Sequence, residues 1–126
     1  MESSVFVIAE IGVNHNGDIG RARELIEAAV ESGAHAAKFQ HFNAEALANQ
    51  TASLAPYQIQ GDGPSQTQRD WLKRFELSVD QQQELKSLCD KNNVEYMATA
   101  FDSESLRTLL TKIGVSRLKI ASGEIT

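Results

Sequence analysis

The sequence predicts an α/β protein built on a parallel sheet. Short β-branched apolar runs alternate with stretches of helical periodicity, and glycine or Asx residues mark the changes from one period to the other. The first run, Val5-Phe6-Val7-Ile8-Ala9, is continuously apolar and suits a strand buried on both faces. Asn14-His15-Asn16-Gly17 then marks a turn. Asp18 is placed to cap a helix carrying Ile19, Ala22, Leu25, Ile26, Ala29 and Val30 on one face, with Gly33 as its stop.

The alternation repeats. His35-Ala36-Ala37-Lys38-Phe39-Gln40 reads as a second strand. Residues 41–68 hold both prolines, Pro56 and Pro64, with Gly61 and Gly63. A connection this long in a compact domain reads as a functional loop. A short helix over 69–75 surrounds Trp71 and Leu72, with Trp71 anchoring the loop. Ser78 and Gln81 have capping-box spacing and open a helix to Lys91, with Leu85, Leu88 and Cys89 as its stripe. Val94-Glu95-Tyr96-Met97-Ala98 is the third strand. Asp102 or Ser103 caps the next helix, in which Leu106, Leu109, Leu110 and Ile113 form a stripe and Gly114 the stop. Arg117-Leu118-Lys119-Ile120-Ala121 is the fourth strand. The order βαβαβαβ implies parallel strands joined by right-handed crossovers, with no internal domain boundary.

Composition agrees. The 126 residues suffice for one domain with its own core. A hydrophobic fraction of 41% and a charged fraction of 23% fit a soluble globular chain. The net charge of −5 argues against nucleic-acid or anionic-membrane partners. Cys89 is the sole cysteine, so no disulfide framework exists, and a reducing, cytoplasmic compartment is expected. No apolar run approaches the ~20 residues that span a bilayer. No signal peptide is expected from Met1-Glu2-Ser3-Ser4.

Chemistry in parallel α/β folds collects at the carboxyl ends of strands, and unusual polar residues fall there. Glu10 ends the first strand. Lys38 and Gln40 share a parity and hence a face. Thr99 and Phe101 follow the third strand. Lys119 lies within the fourth, which runs into Ser122 and Glu124. Two lysines with hydroxyls suit an anion, and two carboxylates suit the hydroxyls or amide of a sugar. The pattern points to a phosphate or carboxylate substrate beside a polyhydroxy one. Structural roles compete. Lys38 and Lys119 can pair with Glu10 and Glu124 as a network, because a lysine in an apolar strand needs a partner. Thr99 can cap the third helix, Phe101 can be core, and Gln40 can satisfy loop backbone. His15 reads as a solvated turn residue or a ligand contact. The three histidines show no metal-ligand spacing. Cys89 reads as a buried structural thiol.

Five stretches also resemble one family, the sialic acid synthases (N-acetylneuraminate synthase family). They are Ala9-Glu10-Ile11-Gly12-Val13-Asn14-His15-Asn16-Gly17-Asp18, Gly33-Ala34-His35-Ala36-Ala37-Lys38-Phe39-Gln40, Glu76-Leu77-Ser78, Ala98-Thr99-Ala100-Phe101-Asp102, and Leu118-Lys119-Ile120-Ala121-Ser122-Gly123-Glu124-Ile125-Thr126. The resemblance implies a (β/α)8 TIM barrel of ~250 residues. Residues 1–126 are then its N-terminal half, truncated after strand four, with the remaining strands and a C-terminal antifreeze-like domain beyond. It implies condensation of phosphoenolpyruvate with an N-acetylated amino sugar, typically N-acetylmannosamine, giving a nonulosonic acid and phosphate. It assigns Lys38, Thr99, Lys119 and Ser122 to the phosphate and carboxylate of phosphoenolpyruvate. Glu10, Gln40, Phe101 and Glu124 shape the sugar site, and Lys38, Lys119 and Glu124 are the catalytic candidates. It also implies a divalent metal, Mn or Mg, with ligands outside this chain, and a homodimeric parent enzyme. These residues alone are therefore expected to be inactive. Ala98 and Ala100 replace a Ser and a Pro of the family pattern, and Asp62 only approximates an Asn that touches the sugar, so the sugar stays open. Two other readings remain: another phosphoenolpyruvate-condensing barrel acting on a sugar phosphate, or a non-catalytic module associating through unpaired strand edges.

Overall fold

The computed structural model describes residues 5–50 and 68–125. The elements run β1 (Ile8–Gly12), α1 (Ile19–Glu31), β2 (Ala36–His41), α2 (Ala44–Gln50), α3 (Gln68–Lys73), α4 (Val79–Lys91), β3 (Glu95–Ala100), α5 (Ser103–Thr108), a π-helical turn (Leu109–Ile113), β4 (Leu118–Lys119) and a 3-10 turn (Ser122–Glu124). The strands form one sheet in the order β1-β2-β3-β4, and every neighbouring pair is parallel. This is α/β architecture with consecutive strands laid side by side, as in the first half of a (β/α)8 barrel. No described helix is long and apolar enough to cross a membrane.

The helix starts follow local chemistry. The Asp18 carboxylate accepts the Arg21 amide at 3.0 Å. Ser78 and Gln81 close the expected capping box, with bonds of 2.9 and 3.2 Å. The cap of α5 is Asp102, not Thr99; it accepts from the Ser105 amide at 2.8 Å. The helices then bury one face of the sheet. Ala22, Ile26 and Ala29 of α1 and Leu85 and Cys89 of α4 pack over Ala37, Phe39, Tyr96 and Ala98. Phe39 and Tyr96 stack at 5.2 Å between ring centroids. Cys89 is fully buried, and burial pushes its thiol up to about 12. Native protein is therefore expected to resist a thiol reagent that labels Cys89 promptly after denaturation. Prompt native labelling would contradict this packing.

A buried polar network fastens β2 and β3 to α4. The Gln82 amide nitrogen donates to the Leu77 carbonyl at 3.1 Å and to His41 Nδ1, while the Tyr96 hydroxyl donates to Gln82 Oε1 at 3.2 Å. At the opposite end of the sheet, Arg117 stacks over Phe6 at 4.3 Å and reaches Glu95 at 3.4 Å. The start of β4 is thereby tied to β3 and to the residues before β1.

Several elements differ from expectation. Strand β1 begins at Ile8, not Val5; Val5, Phe6 and Val7 precede it and are exposed together with Ile8, and β1 pairs on one side only, with β2, among the described residues. The supposed loop after β2 opens with α2, because Asn43 Oδ1 accepts the Glu45 and Ala46 amides at 3.0 and 3.1 Å and Ala44-Glu45-Ala46-Leu47 favours helix. Residues 51–67, with Pro56, Gly61, Asp62, Gly63 and Pro64, lie outside the described residues. Strand β3 continues to Ala100, so Thr99 lies within it rather than after it. The third expected helix is interrupted by the π-helical turn, which buries Leu109 and Ile113 and leaves Leu106 and Leu110 exposed. The fourth strand shrinks from five expected residues to Leu118–Lys119, both exposed.

Candidate active site

Register places the candidate residues on one face. Glu10 lies opposite Lys38 across β1 and β2. Gln40 lies opposite Thr99, and Thr99 opposite Lys119, across β2, β3 and β4. Lys38 and Gln40 are two apart in one strand, so all five residues belong to the face that the helices do not cover. The opposite face carries Ala37, Phe39, Tyr96 and Ala98 toward α1 and α4.

On this face the two lysines differ. Lys38 is only 9% exposed and is the one buried lysine or arginine among the described residues. Its ammonium forms an ion pair with Glu10, whose side chain is about half exposed. The carboxylate thus meets the partner requirement that burial imposes on Lys38. Lys119 was expected inside a buried strand; it is exposed, and its Nζ donates to the Ile120 carbonyl at 3.0 Å. The exposure follows from β4 having no neighbour on its far side among the described residues. Thr99 is buried between the two. Ser122 is exposed in the 3-10 turn that also includes Glu124.

A bulge shapes the β1 end. Glu10 pairs with Lys38 and Gly12 with Phe39, leaving Ile11 as the extra residue. Gly12 has φ +56°, and a Cβ there would sit 3.3 Å from Glu10 Oε1 and 3.7 Å from Gln40 Nε2. The missing side chain brings the Glu10 carboxylate and the Gln40 amide to one spot beside the strand end.

Above the strand ends lies a second apolar cluster that the sequence did not disclose. Phe42, Ala44 and Leu72 are buried, and Val13, Leu47, Trp71, Phe75 and Phe101 pack against them. The cluster lines an open pocket of about 260 Å3, and Gln40 reaches its wall. Phe101 is half buried here and also borders a wider cleft of about 430 Å3 that includes Lys119. Phe101 therefore joins the core-like cluster and faces both openings.

Among the described residues, no group of three or more His, Cys, Asp or Glu is placed to hold a metal. His15 is fully buried, not solvated. Its Nδ1 accepts the Gly17 amide at 2.9 Å, which puts the ring proton on Nε2, a buried atom without a hydrogen-bond partner. Burial lowers its pKa below 6.5, and the neighbouring Gly12 backbone only partly offsets this. Burial likewise lowers His41, against the pull of Asp102 and Glu76. Both rings are thus held neutral when folded but titrate normally when unfolded. The unfolded chain binds more protons below pH 6.5, so stability present above that pH is lost as pH falls through and below it. Denaturant midpoints are expected to drop from pH 7.5 to pH 5.5, and less so in His41→Gln. An identical drop in that variant would remove His41 from the account.

Fold and face together define a class: parallel α/β folds laid out as the first half of a (β/α)8 barrel, with polar side chains gathered on the uncovered face near the strand ends. The chain belongs to the NeuB family, whose profile matches residues 25–126. It is 50% identical over 121 residues to the N,N'-diacetyllegionaminic acid synthase of Legionella pneumophila, covering 96% of this chain and 34% of that protein. It is 42% identical to the enzyme of the same name from Campylobacter jejuni, covering 95% of this chain and 36% of the relative. The sialic acid synthetase of Leptospira borgpetersenii, solved with citrate, superposes with a TM-score of 0.77 at 34% identity over 97% of this chain and 38% of the other. The chain thus spans about a third of the length of the curated relatives it matches.

Proposed function

We propose that these residues form the N-terminal half of the catalytic barrel of a nonulosonic acid synthase. The whole enzyme condenses phosphoenolpyruvate with an N-acetylated amino sugar and releases phosphate. The observation that carries this is the placement of Glu10, Lys38, Gln40, Thr99 and Lys119 on the uncovered face of the sheet, in two neighbouring register rows, Glu10–Lys38 and Gln40–Thr99–Lys119. Names of the relatives that cover nearly the whole chain support the same reaction class.

In this reading C3 of phosphoenolpyruvate attacks the sugar aldehyde, water adds at C2, and the tetrahedral intermediate expels phosphate. Lys38 supplies a positive charge in a site where burial strengthens it. Thr99, Lys119 and Ser122 add donors for the phosphate and carboxylate. Glu10 orients Lys38 through their ion pair and, with Gln40, Phe101 and Glu124, shapes the sugar side. A divalent metal, manganese or magnesium, belongs to the full enzyme, with ligands outside this chain; the described residues do not fit a site for it. The same reading makes the enzyme a cytoplasmic homodimer without nucleic-acid or membrane partners.

The test is phosphate release by a full-length polypeptide carrying these residues, given phosphoenolpyruvate, manganese and either N-acetylmannosamine or a 2,4-diacetamido sugar. Sugar-dependent release is expected. No release with any N-acetylated amino sugar would sink the reading.

A further inference from the structure

We infer that His15 is a positioning residue: from the loop after β1 it holds the backbone at Gly12 and, through Gly12, the Glu10 carboxylate beside Lys38. The inference rests on the proposed synthase reading and adds to it a residue that touches no substrate. Three observations carry it. First, His15 is fully buried, and its ring bears on both ends of the loop. Its Nδ1 accepts the Gly17 amide at 2.9 Å, while the Gly12 backbone is the neighbour that draws a proton toward the ring. Second, the ring has no room to drift. The Asn14, Asn16 and Asp18 amides donate to the Ile11, Val13 and His15 carbonyls at 3.0, 3.0 and 2.9 Å, which winds the loop into consecutive turns. Phe39, the register partner of Gly12, lies against the imidazole with ring centroids 6.1 Å apart. Third, Gly12 is where the candidate site comes together. Its φ is +56° at the bulge, and the space a Cβ would take lies 3.3 Å from Glu10 Oε1 and 3.7 Å from Gln40 Nε2.

The choice of residue needs a reason. A buried imidazole carries a desolvation cost that a phenylalanine of similar bulk does not, so filling space under the loop does not account for it. Glycine at position 12 makes the bulge conformation accessible but does not hold it, because glycine adopts either sign of φ with ease. The restraint must come from outside the residue, and His15 supplies it. Glu10 precedes Gly12 by two residues and forms the ion pair with buried Lys38. A shift of the bulge therefore moves the carboxylate and the charge it orients together.

The experiment is a double-mutant cycle in the full-length enzyme, read as kcat/KM for the amino sugar at saturating phosphoenolpyruvate. His15→Phe keeps a ring against Phe39 and removes both nitrogens. In the otherwise unaltered enzyme it is expected to lower kcat/KM about 10- to 100-fold, the cost of a misplacement near 1 Å. In a Glu10→Gln background the same change is expected to cost less than about twofold, because the carboxylate it positions is already gone. A role confined to stability gives equal losses in the two backgrounds, and equal losses overturn the inference. So does an unchanged kcat/KM in His15→Phe alone. Should His15→Phe fail to fold, the same cycle is read with His15→Asn, whose Oδ1 stands where Nδ1 stood and still accepts the Gly17 amide. Failure of both variants to fold also overturns the inference, because His15 then serves the fold and not the site. Absence of sugar-dependent phosphate release in the unsubstituted enzyme sinks the synthase reading and this inference with it. Release together with an additive cycle sinks this inference alone.

Discussion

Replacing Lys38 by Met in the full-length enzyme is expected to lower kcat/KM for phosphoenolpyruvate by about 100- to 1,000-fold, the usual cost of losing one preorganised electrostatic contact. The size of the effect follows from where the ammonium sits. Lys38 is buried in β2 between Ala37 and Phe39 of the core layer, yet it projects to the uncovered face beside Glu10. A charge held there is less screened than one at the surface, so an anion gains more from it. Methionine has similar length and relieves the burial of a charge, and the Glu10 it leaves behind is half exposed and can be solvated. Folding should therefore survive while activity does not. Lys38→Arg is expected to fail as well, because a planar guanidinium does not reproduce a compact ammonium in a tight strand position. Unchanged kinetics in Lys38→Met with intact folding would remove Lys38 from the anion site.

The second large effect is on stability. Gly17 has φ +77°, and a Cβ there would lie 2.1 Å from the Arg74 carbonyl oxygen. Gly17→Ala therefore combines left-handed strain with a collision against backbone that cannot swing aside, at a cost of about 2–4 kcal/mol. The loop it disrupts also holds His15 through the Gly17 amide. Gly33→Ala and Gly114→Ala provide the comparison: both glycines have positive φ, but nothing lies within 4 Å of the added carbon. They are expected to cost only ~1–2 kcal/mol, the strain alone. Unfolding midpoints measured side by side check this. Equal losses at the three positions would mean that the β1–α1 loop does not press on the turn after α3.

Local signals were readable and distant ones were not. Asp18 and the Ser78–Gln81 box place the starts of α1 and α4 because a cap is a contact within one turn. The parity of Lys38 and Gln40 reads directly as a shared face, and the register bears it out. The start of β1 is set by its pairing with β2, and the bulge at Ile11 breaks the simple alternation; an apolar run discloses neither. Helix α2 was hidden by the prolines and glycines that follow it, although Asn43 and the alanines were in plain view. The exposure of Lys119 depends on what flanks β4, which no residue within the strand encodes. The His41–Gln82–Tyr96 network and the pocket beside Gln40 join elements far apart in the chain, and neither has a local pattern. His15 likewise reads as a turn residue until Phe39 closes over it, with ring centroids at 6.1 Å.

The central claim is that the uncovered face serves carbon–carbon bond formation and not simple phosphate-ester cleavage. The direct measurement uses phosphoenolpyruvate labelled with 13C at C3, full-length enzyme, manganese and a 2,4-diacetamido sugar, followed by carbon NMR. The label is expected to move into a ring methylene bonded to the former sugar aldehyde carbon, one per phosphate released. Label appearing only in the methyl group of pyruvate, with phosphate released and the sugar unconsumed, would contradict it.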